Sequence, residues 1–309
     1  MKPIIFHGRA NPILAQKLAK LNHYSLGQTE IVTFTNSEIR TRVLSPVKDK
    51  EVILLQSLSN PTNNNLVELL FLVDALSREN ADRITVVIPY FGYARQNLQH
   101  LPGECVSLNV IIKALETLKV DKIITVDIHD EASSGIFSIP FQNLSALPIL
   151  AKQLKKDLKI TDKNEKDYVI ASPDQGGVER SRTFAEHFYT AKNYSKTVVV
   201  EKKRELDKIH QSKAIAIFGE VRNKQVILVD DVSTSGKTII NAAKLCLQAG
   251  AKSTMAAVVH PDFGLGVPKL IQNSLLKSFY TTNTIEQTLE PLAPFSKIKI
   301  IDLAKLLVF

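Results

Sequence analysis

Tryptophan is absent from the 309 residues, and tyrosine and phenylalanine together bring the aromatics to only 6%. No stretch interleaves basic and aromatic side chains, so stacking on nucleic-acid bases has little support. Cysteine is scarce as well. Cys105 and Cys246 are too few for a disulfide framework and lack metal-ligand spacing, so both read as reduced, packed thiols of a cytoplasmic protein. No run approaches the roughly 18 apolar residues of a membrane-spanning helix, so no membrane partner is expected. The start, Met1-Lys2-Pro3-Ile4-Ile5-Phe6-His7-Gly8-Arg9, turns polar too early for a secretory leader.

What is present describes an ordinary globular chain. Apolar residues make up 44% and charged residues 23%, enough for two cores, and the length suggests two domains. Lysine and arginine number 39 against 31 acids, a formal charge of +8. A basic excess suits polyanionic partners, either nucleic acid or phosphorylated small molecules. Part of it reads as a solvated helix face, with Lys152, Lys155, Lys156 and Lys159 beside Asp157.

Strand and helix patterns alternate along nearly the whole chain. Continuous apolar, β-rich runs at 51–55, 84–88, 122–128, 168–171, 197–200, 225–229 and 253–259 predict strands buried on both faces. Helical periodicity at 65–78, 107–117, 177–187 and 238–248 predicts the crossovers between them. The expectation is an α/β protein with open parallel sheets, divided near 144–148 into domains 1–146 and 147–309. A last strand and helix are expected over 297–308. In such sheets ligands bind beyond the carboxyl ends of the strands, so chemistry is sought in the strand-end loops.

The strongest of these loops is Val229-Asp230-Asp231-Val232-Ser233-Thr234-Ser235-Gly236-Lys237-Thr238. Two acids at a strand tip suit the hydroxyls of a sugar, and small hydroxyl residues before a helix suit its phosphate. The bland alternative is a helix capped by Ser or Thr. Paired acids at the end of a buried strand weigh against it, because like charges there cost stability without a ligand or metal. Gly236-Lys237-Thr238 is not a P-loop, because Asp231 occupies the position of that motif's first glycine. A second loop, Ser172-Pro173-Asp174-Gln175-Gly176-Gly177, pairs glycines with an acid that could hold magnesium; a structural turn is equally compatible. A third, Pro89-Tyr90-Phe91-Gly92-Tyr93-Ala94-Arg95-Gln96, offers aromatics to a purine and an arginine to a phosphate, or is simply a packed loop. In the fourth, Asp127-Ile128-His129-Asp130, an isolated histidine is more often a core hydrogen-bonding group than a metal ligand. The cationic run Glu201-Lys202-Lys203-Arg204-Glu205 is either a solvated stretch or a loop that neutralises charge in phosphoryl transfer.

Taken in order, these segments closely resemble the ribose-phosphate pyrophosphokinase family, and the resemblance covers almost the entire chain. Asn65-Leu66-Val67-Glu68-Leu69-Leu70 and Thr281-Thr282-Asn283-Thr284 belong to the same set. It implies two phosphoribosyltransferase type I-like domains, each with a central, mainly parallel sheet flanked by helices. It also implies an active site completed by a neighbouring subunit in a dimer-based homo-oligomer, commonly a hexamer. The implied activity is transfer of the diphosphoryl group of ATP to ribose 5-phosphate, with Mg2+ as cofactor. By the same resemblance Asp230, Asp231, Thr234, Ser235, Gly236 and Thr238 match the ribose 5-phosphate loop. Asp174, Gln175, Gly176 and Gly177 match the pyrophosphate loop. Arg95, Gln96 and His129 match ATP contacts, with His129 and Asp174 near the metal. Phe34, Asn36 and Glu38 match a segment that embraces adenine from the adjacent subunit, and Lys202 and Arg204 match the catalytic basic pair.

Three departures stand out against that pattern. Asn36 replaces the usual aspartate, adding a donor where the family offers only acceptors. Lys237 replaces a glycine in the sugar-phosphate loop and is a further candidate phosphate contact. In the stretch Asn97-Leu98-Gln99-His100-Leu101-Pro102-Gly103-Glu104, Gly103 stands where the family's common bacterial form has the arginine of a phosphate and ADP regulatory site, so the resemblance leaves regulation at that site open. Two other functions fit parts of the pattern. A phosphoribosyltransferase would also carry the Asp-Asp loop, but the two strand–helix sets and the 93–96 segment argue against it. A catalytically silent regulatory homologue would tolerate Asn36, Asn97, Gly103 and Lys237, but retention of His129, Asp174, Lys202, Arg204, Asp230 and Asp231 argues against that.

Overall fold

The computed structural model describes residues 2–190, 197–202, 215–287, 292 and 294–308. They form two compact units, Met1–Ser145 with Thr284–Glu286 and Asp302–Phe309, and Ala146–Asn283 with Gln287–Ile301. The units are thus discontinuous in sequence, which a single cut at 146 does not capture. Thr284 belongs with the first because Asn11 Nδ2 and Ser57 Oγ both donate to its carbonyl, at 3.0 and 2.5 Å.

The first unit comprises β1 (Ile4–His7), α1 (Pro12–Asn22), β2 (Ser25–Leu26), β3 (Thr29–Thr33), β4 (Ile39–Val43), β5 (Glu51–Leu55), α2 (Thr62–Arg78), β6 (Arg83–Ile88), α3 (Ser107–Thr117), β7 (Lys122–Val126) and β8 (Phe141–Leu144). Six strands make one sheet in the order β2-β1-β5-β6-β7-β8, every pairing parallel. Its inner strands are the expected unbroken apolar runs: Val86, Val87 and Ile88 of β6 are wholly buried. Leu69, Leu72 and Leu76 of α2 recur at helical spacing and pack into the same core. Strands β3 and β4 stand apart as an antiparallel pair.

The second unit comprises α4 (Leu147–Asp157), β9 (Tyr168–Ser172), α5 (Val178–Phe188), β10 (Val198–Lys202), β11 (Ile215–Phe218), β12 (Gln225–Val232), α6 (Lys237–Gln248), β13 (Ser253–His260), α7 (Val267–Gln272), β14 (Phe279–Thr282) and β15 (Ile298–Ile301). The sheet order is β11-β10-β9-β12-β13-β14-β15, parallel except for the edge pair β10–β11. All eight residues of β13 are buried, as a central parallel strand covered on both faces must be.

Several expectations need correction. The helix anticipated after β15 is not formed: residues 304–307 are turns closed by a Leu306 N–H to Leu303 carbonyl bond of 2.8 Å. Cys105 is exposed rather than packed, because it sits in the polar loop before α3. Cys246 is buried, and burial pushes its thiol up to about 11. Lys155 is no mere solubilising cation. Its Nζ donates to Phe188 O (2.6 Å), Glu165 Oε2 (3.2 Å) and Thr190 Oγ1 (3.3 Å), tying α4 to the end of α5.

Candidate active site

In the second unit the two strongest loops emerge from adjacent strands. Strands β9 and β12 pair in parallel, Ala171 opposite Leu228, so both chains exit at the same carboxyl end of the sheet. At the tip of β12, Asp231 is buried and Asp230 nearly so, with side chains 5% and 13% exposed. Arg180, in the first turn of α5 and itself 12% exposed, bridges them: its Nη1 lies 3.2 Å from Asp230 Oδ1 and 3.3 Å from Asp231 Oδ1. The Asp230 carboxylate also accepts from the Asp231 backbone N–H at 3.0 Å. Burial, then repulsion from Asp231, hold the Asp230 carboxyl well above the usual carboxylate range, with Arg180 opposing and Asp174 adding repulsion.

The loop after β9 closes on itself. Ser172 Oγ donates to Asp174 O (2.5 Å), and the Gly177 N–H donates to Asp174 Oδ1 (3.0 Å). A Cβ on Gly177 would stand 2.7 Å from Ser172 Oγ and 3.4 Å from Arg180 Nη1, so glycine is what lets the loop and the arginine approach. The structural-turn reading therefore holds for the backbone. Asp174, Gln175 and Gly176 nevertheless remain exposed beyond the carboxyl end of β9.

The capping explanation of the Asp-Asp loop does not hold. The residue at the helix start is Gly236, with φ 70°, and no side chain caps α6. A side chain there would be strained by that φ and crowded by Val267 Cγ1 at 3.3 Å. Thr234, Ser235 and Thr238 flank this turn, and Lys237 is exposed. The Ser233 hydroxyl, buried, makes no hydrogen bond with the described residues.

In the first unit, the 89–96 loop divides its roles. Phe91 is 2% exposed and meets Phe137 edge-on at 6.1 Å, so it belongs to the core and is not offered to a purine. Tyr93, at φ 66°, turns the chain and its hydroxyl donates to Asn63 Oδ1. Arg95 and Gln96 follow on the surface, Gln96 Oε1 accepting from Ser107 Oγ at 2.7 Å. His129 is exposed, which removes the core-contact reading. Its loop is joined to the arginine loop through Asn97, whose Nδ2 donates to Asp130 Oδ2 at 2.7 Å. Asp130 Oδ1 in turn accepts from the Ala132 N–H at 3.0 Å. Phe34, Asn36 and Glu38 all lie exposed on the β3–β4 turn. Arg204 and the side chain of Lys202 lie outside the described residues.

Two groups escaped the sequence reading. Arg180 follows Gly177 by three residues, one helical turn into α5, and that spacing after a glycine pair was the available signal. Arg9 carries no motif and is treated below. Among the described residues no set of three or more His, Cys, Asp or Glu side chains forms a ready metal cage. The carboxylates of Asp174, Asp230 and Asp231 still fit magnesium, which takes hard oxygen ligands and is usually held by one or two carboxylates together with substrate phosphates. No helix among the described residues is long and apolar enough to cross a membrane.

The chain is similar to known proteins along nearly its whole length. Residues 3–118 match the model of the N-terminal domain of ribose phosphate pyrophosphokinase, and residues 142–270 match the phosphoribosyl transferase domain. A ribose-phosphate pyrophosphokinase of Thermosipho africanus is 36% identical over 98% of this chain and 91% of its own length. One from Burkholderia pseudomallei is 36% identical over 94% and 87%. The crystal structure of phosphoribosylpyrophosphate synthetase from Mycobacterium smegmatis superposes with a TM-score of 0.88 at 28% identity, covering 99% of this chain and 96% of that one. The chain belongs to the ribose-phosphate pyrophosphokinase family.

Proposed function

We propose that the chain transfers the diphosphoryl group of ATP to the 1-hydroxyl of ribose 5-phosphate, giving 5-phosphoribosyl 1-pyrophosphate and AMP for nucleotide biosynthesis in the cytoplasm. The observation that carries this reading is the buried Asp230–Asp231 pair at the tip of β12, bridged by Arg180 beside the Asp174 loop. Buried like charges held side by side by a bridging arginine suit a sugar's hydroxyls and a divalent ion.

In this reaction the 1-oxygen of ribose 5-phosphate forms a bond to the β-phosphorus of ATP, the bond from that phosphorus to the α–β bridging oxygen breaks, and AMP departs with that oxygen. The hydroxyl proton leaves to solvent or to a nearby carboxylate. Such transfers depend on in-line positioning and on neutralising charge more than on covalent help from the protein. Asp230 and Asp231 accept hydrogen bonds from the ribose hydroxyls. Thr234, Ser235, Gly236, Lys237 and Thr238 cradle the 5-phosphate. Gln175, Gly176 and Gly177 face the diphosphoryl group. Arg95 and Gln96 meet the nucleotide phosphates, and Phe34, Asn36 and Glu38 meet the base, supplied by an adjacent subunit of a homo-oligomer. Lys202 and Arg204 offset the charge that spreads over the travelling group. Asp174 and His129 are the residues that would hold magnesium, which would supply Lewis-acid charge withdrawal from the phosphate oxygens.

Mixing the protein with ATP, magnesium and ribose 5-phosphate should give AMP and phosphoribosyl pyrophosphate in equal amounts, with and without added phosphate or ADP. Nucleotide binding without AMP formation would instead identify a silent homologue. Consumption of phosphoribosyl pyrophosphate with a free base would identify a phosphoribosyltransferase.

A further inference from the structure

Arg9 links the most deeply buried carboxylate of the first unit to the tip of the β3–β4 hairpin. Its backbone N–H donates to Glu68 Oε1 and its Nε to Glu68 Oε2, each at 2.6 Å. Glu68, on α2, is 1% exposed. Its Oε1 also accepts from Gln56 Nε2 at 3.1 Å, while Gln56 Oε1 accepts from the Ala10 N–H at 3.2 Å. A carboxylate so far from water persists only when paired and hydrogen-bonded, so this set is fixed by the cost of breaking it. Fixing Nε also fixes the plane of the guanidinium, because its nitrogens form a rigid fork. The outer arm of that fork, Nη1, donates to Thr33 Oγ1 at 2.9 Å.

Thr33 ends β3 and immediately precedes Phe34. The turn it enters is closed locally: Phe34 N–H donates to Glu38 O (2.8 Å), Ser37 N–H to Phe34 O (2.9 Å), and Glu38 N–H to Asn36 Oδ1 (3.2 Å). Those bonds shape the turn but do not aim it. Strands β3 and β4 form a two-stranded sheet, and such ribbons are marginal unless something else holds them. Ile31 and Val43 seat the ribbon on the core and β4 lies along α2, while Arg9 holds the end of β3 where the chain enters the turn.

We infer that Arg9 is a positioning residue which, through Thr33, aims the turn bearing Phe34, Asn36 and Glu38 and so sets affinity and base selectivity for the nucleotide donor. This deepens the proposed function and rests on it for the role of the turn.

Thr33 is exposed, so Thr33→Val removes the hydroxyl without touching the core or the Arg9–Glu68 pair. In the full-length protein Thr33→Val and Arg9→Lys should speed amide exchange over residues 34–38. They should also raise KM for ATP by roughly threefold to tenfold, the worth of one hydrogen bond to a charged donor at a partly exposed site. The kcat and the KM for ribose 5-phosphate should hold, the preference for ATP over GTP should narrow, and Thr33→Ser should restore wild-type behaviour. Unchanged exchange overturns the inference. So does faster exchange with unchanged KM for ATP and unchanged selectivity. Exchange is read without substrate, so a wild type that makes no AMP separates the two ideas: faster exchange then keeps Arg9 as the anchor of the turn while the reaction falls, and unchanged exchange removes Arg9 as well.

Discussion

Arg180 and Asp230 show how a single side chain can carry two opposed duties. The arginine stabilises two buried acids that would otherwise repel each other, and in the proposed function it also holds them for the sugar's hydroxyls. Arg180→Gln should therefore lower kcat/KM for ribose 5-phosphate by about thirtyfold, equivalent to about 2 kcal/mol, a buried pair's worth reduced for partial exposure. Steady-state kinetics with both substrates varied should show KM for ATP nearly unmoved, and Arg180→Lys should recover part of the loss. Asp230 permits a pH experiment. Its folded carboxyl titrates above its unfolded value, so the folded state holds the proton more tightly than the unfolded chain does. The stability this gives is complete below the unfolded value of about 3.9 and is lost as pH rises through the raised folded value. Asp230→Asn keeps the shape without the charge. Without ligand its Tm should exceed the wild type's at about pH 8, and the gap should close as pH falls toward about 4. A gap independent of pH would contradict the assigned cause.

Among the elements, one lysine reinforces the packing of α4 against α5. Lys155 Nζ sits 5.6 Å over the Phe188 ring as well as against Glu165, which is 3% exposed. Lys155→Ala would strand that carboxylate with only the Thr190 N–H and hydroxyl as donors among the described residues. Denaturant unfolding should report a loss of about 2–3 kcal/mol, while Lys152→Ala on the exposed face should stay within about 0.5 kcal/mol. Composition could not separate these lysines, since all of them read as one solvated face. Their difference arises from Glu165, contributed by a short turn that has no periodicity to betray it. The strands were legible for the opposite reason. In a parallel sheet covered on both faces the inner strands are mostly apolar without a period-two alternation, so β5, β6 and β13 stand out as apolar-rich runs. The β3–β4 ribbon is half exposed and carries no such run, and it was not anticipated as an element.

For the molecule as a whole, turnover should depend on the cations of the run that begins where β10 ends. Replacing Lys202 and Arg204 together by alanine should slow kcat by about 10³-fold, by analogy with arginine fingers, while nucleotide affinity changes far less. Single-turnover measurement separates the two effects, and near-normal turnover would remove that role.

The order of residues by itself determined the alternation of strand and helix, the loops at 172–177 and 230–238, and the family, because burial periodicity and short glycine- and acid-bearing motifs are local properties of the chain. It also suggested two domains, since the length and two strand–helix sets exceed one core. Only the tertiary structure decided which charges meet. The spacing of fifty residues between Arg180 and Asp230, and of fifty-nine between Arg9 and Glu68, is bridged by sheet pairing and helix packing. It likewise decided that Phe91 packs inward while His129 faces out, and that Thr284–Glu286 and Asp302–Phe309 join the first unit. Burial and ion pairing are set by whatever the fold places alongside a residue, and that neighbourhood is written in no local stretch of sequence.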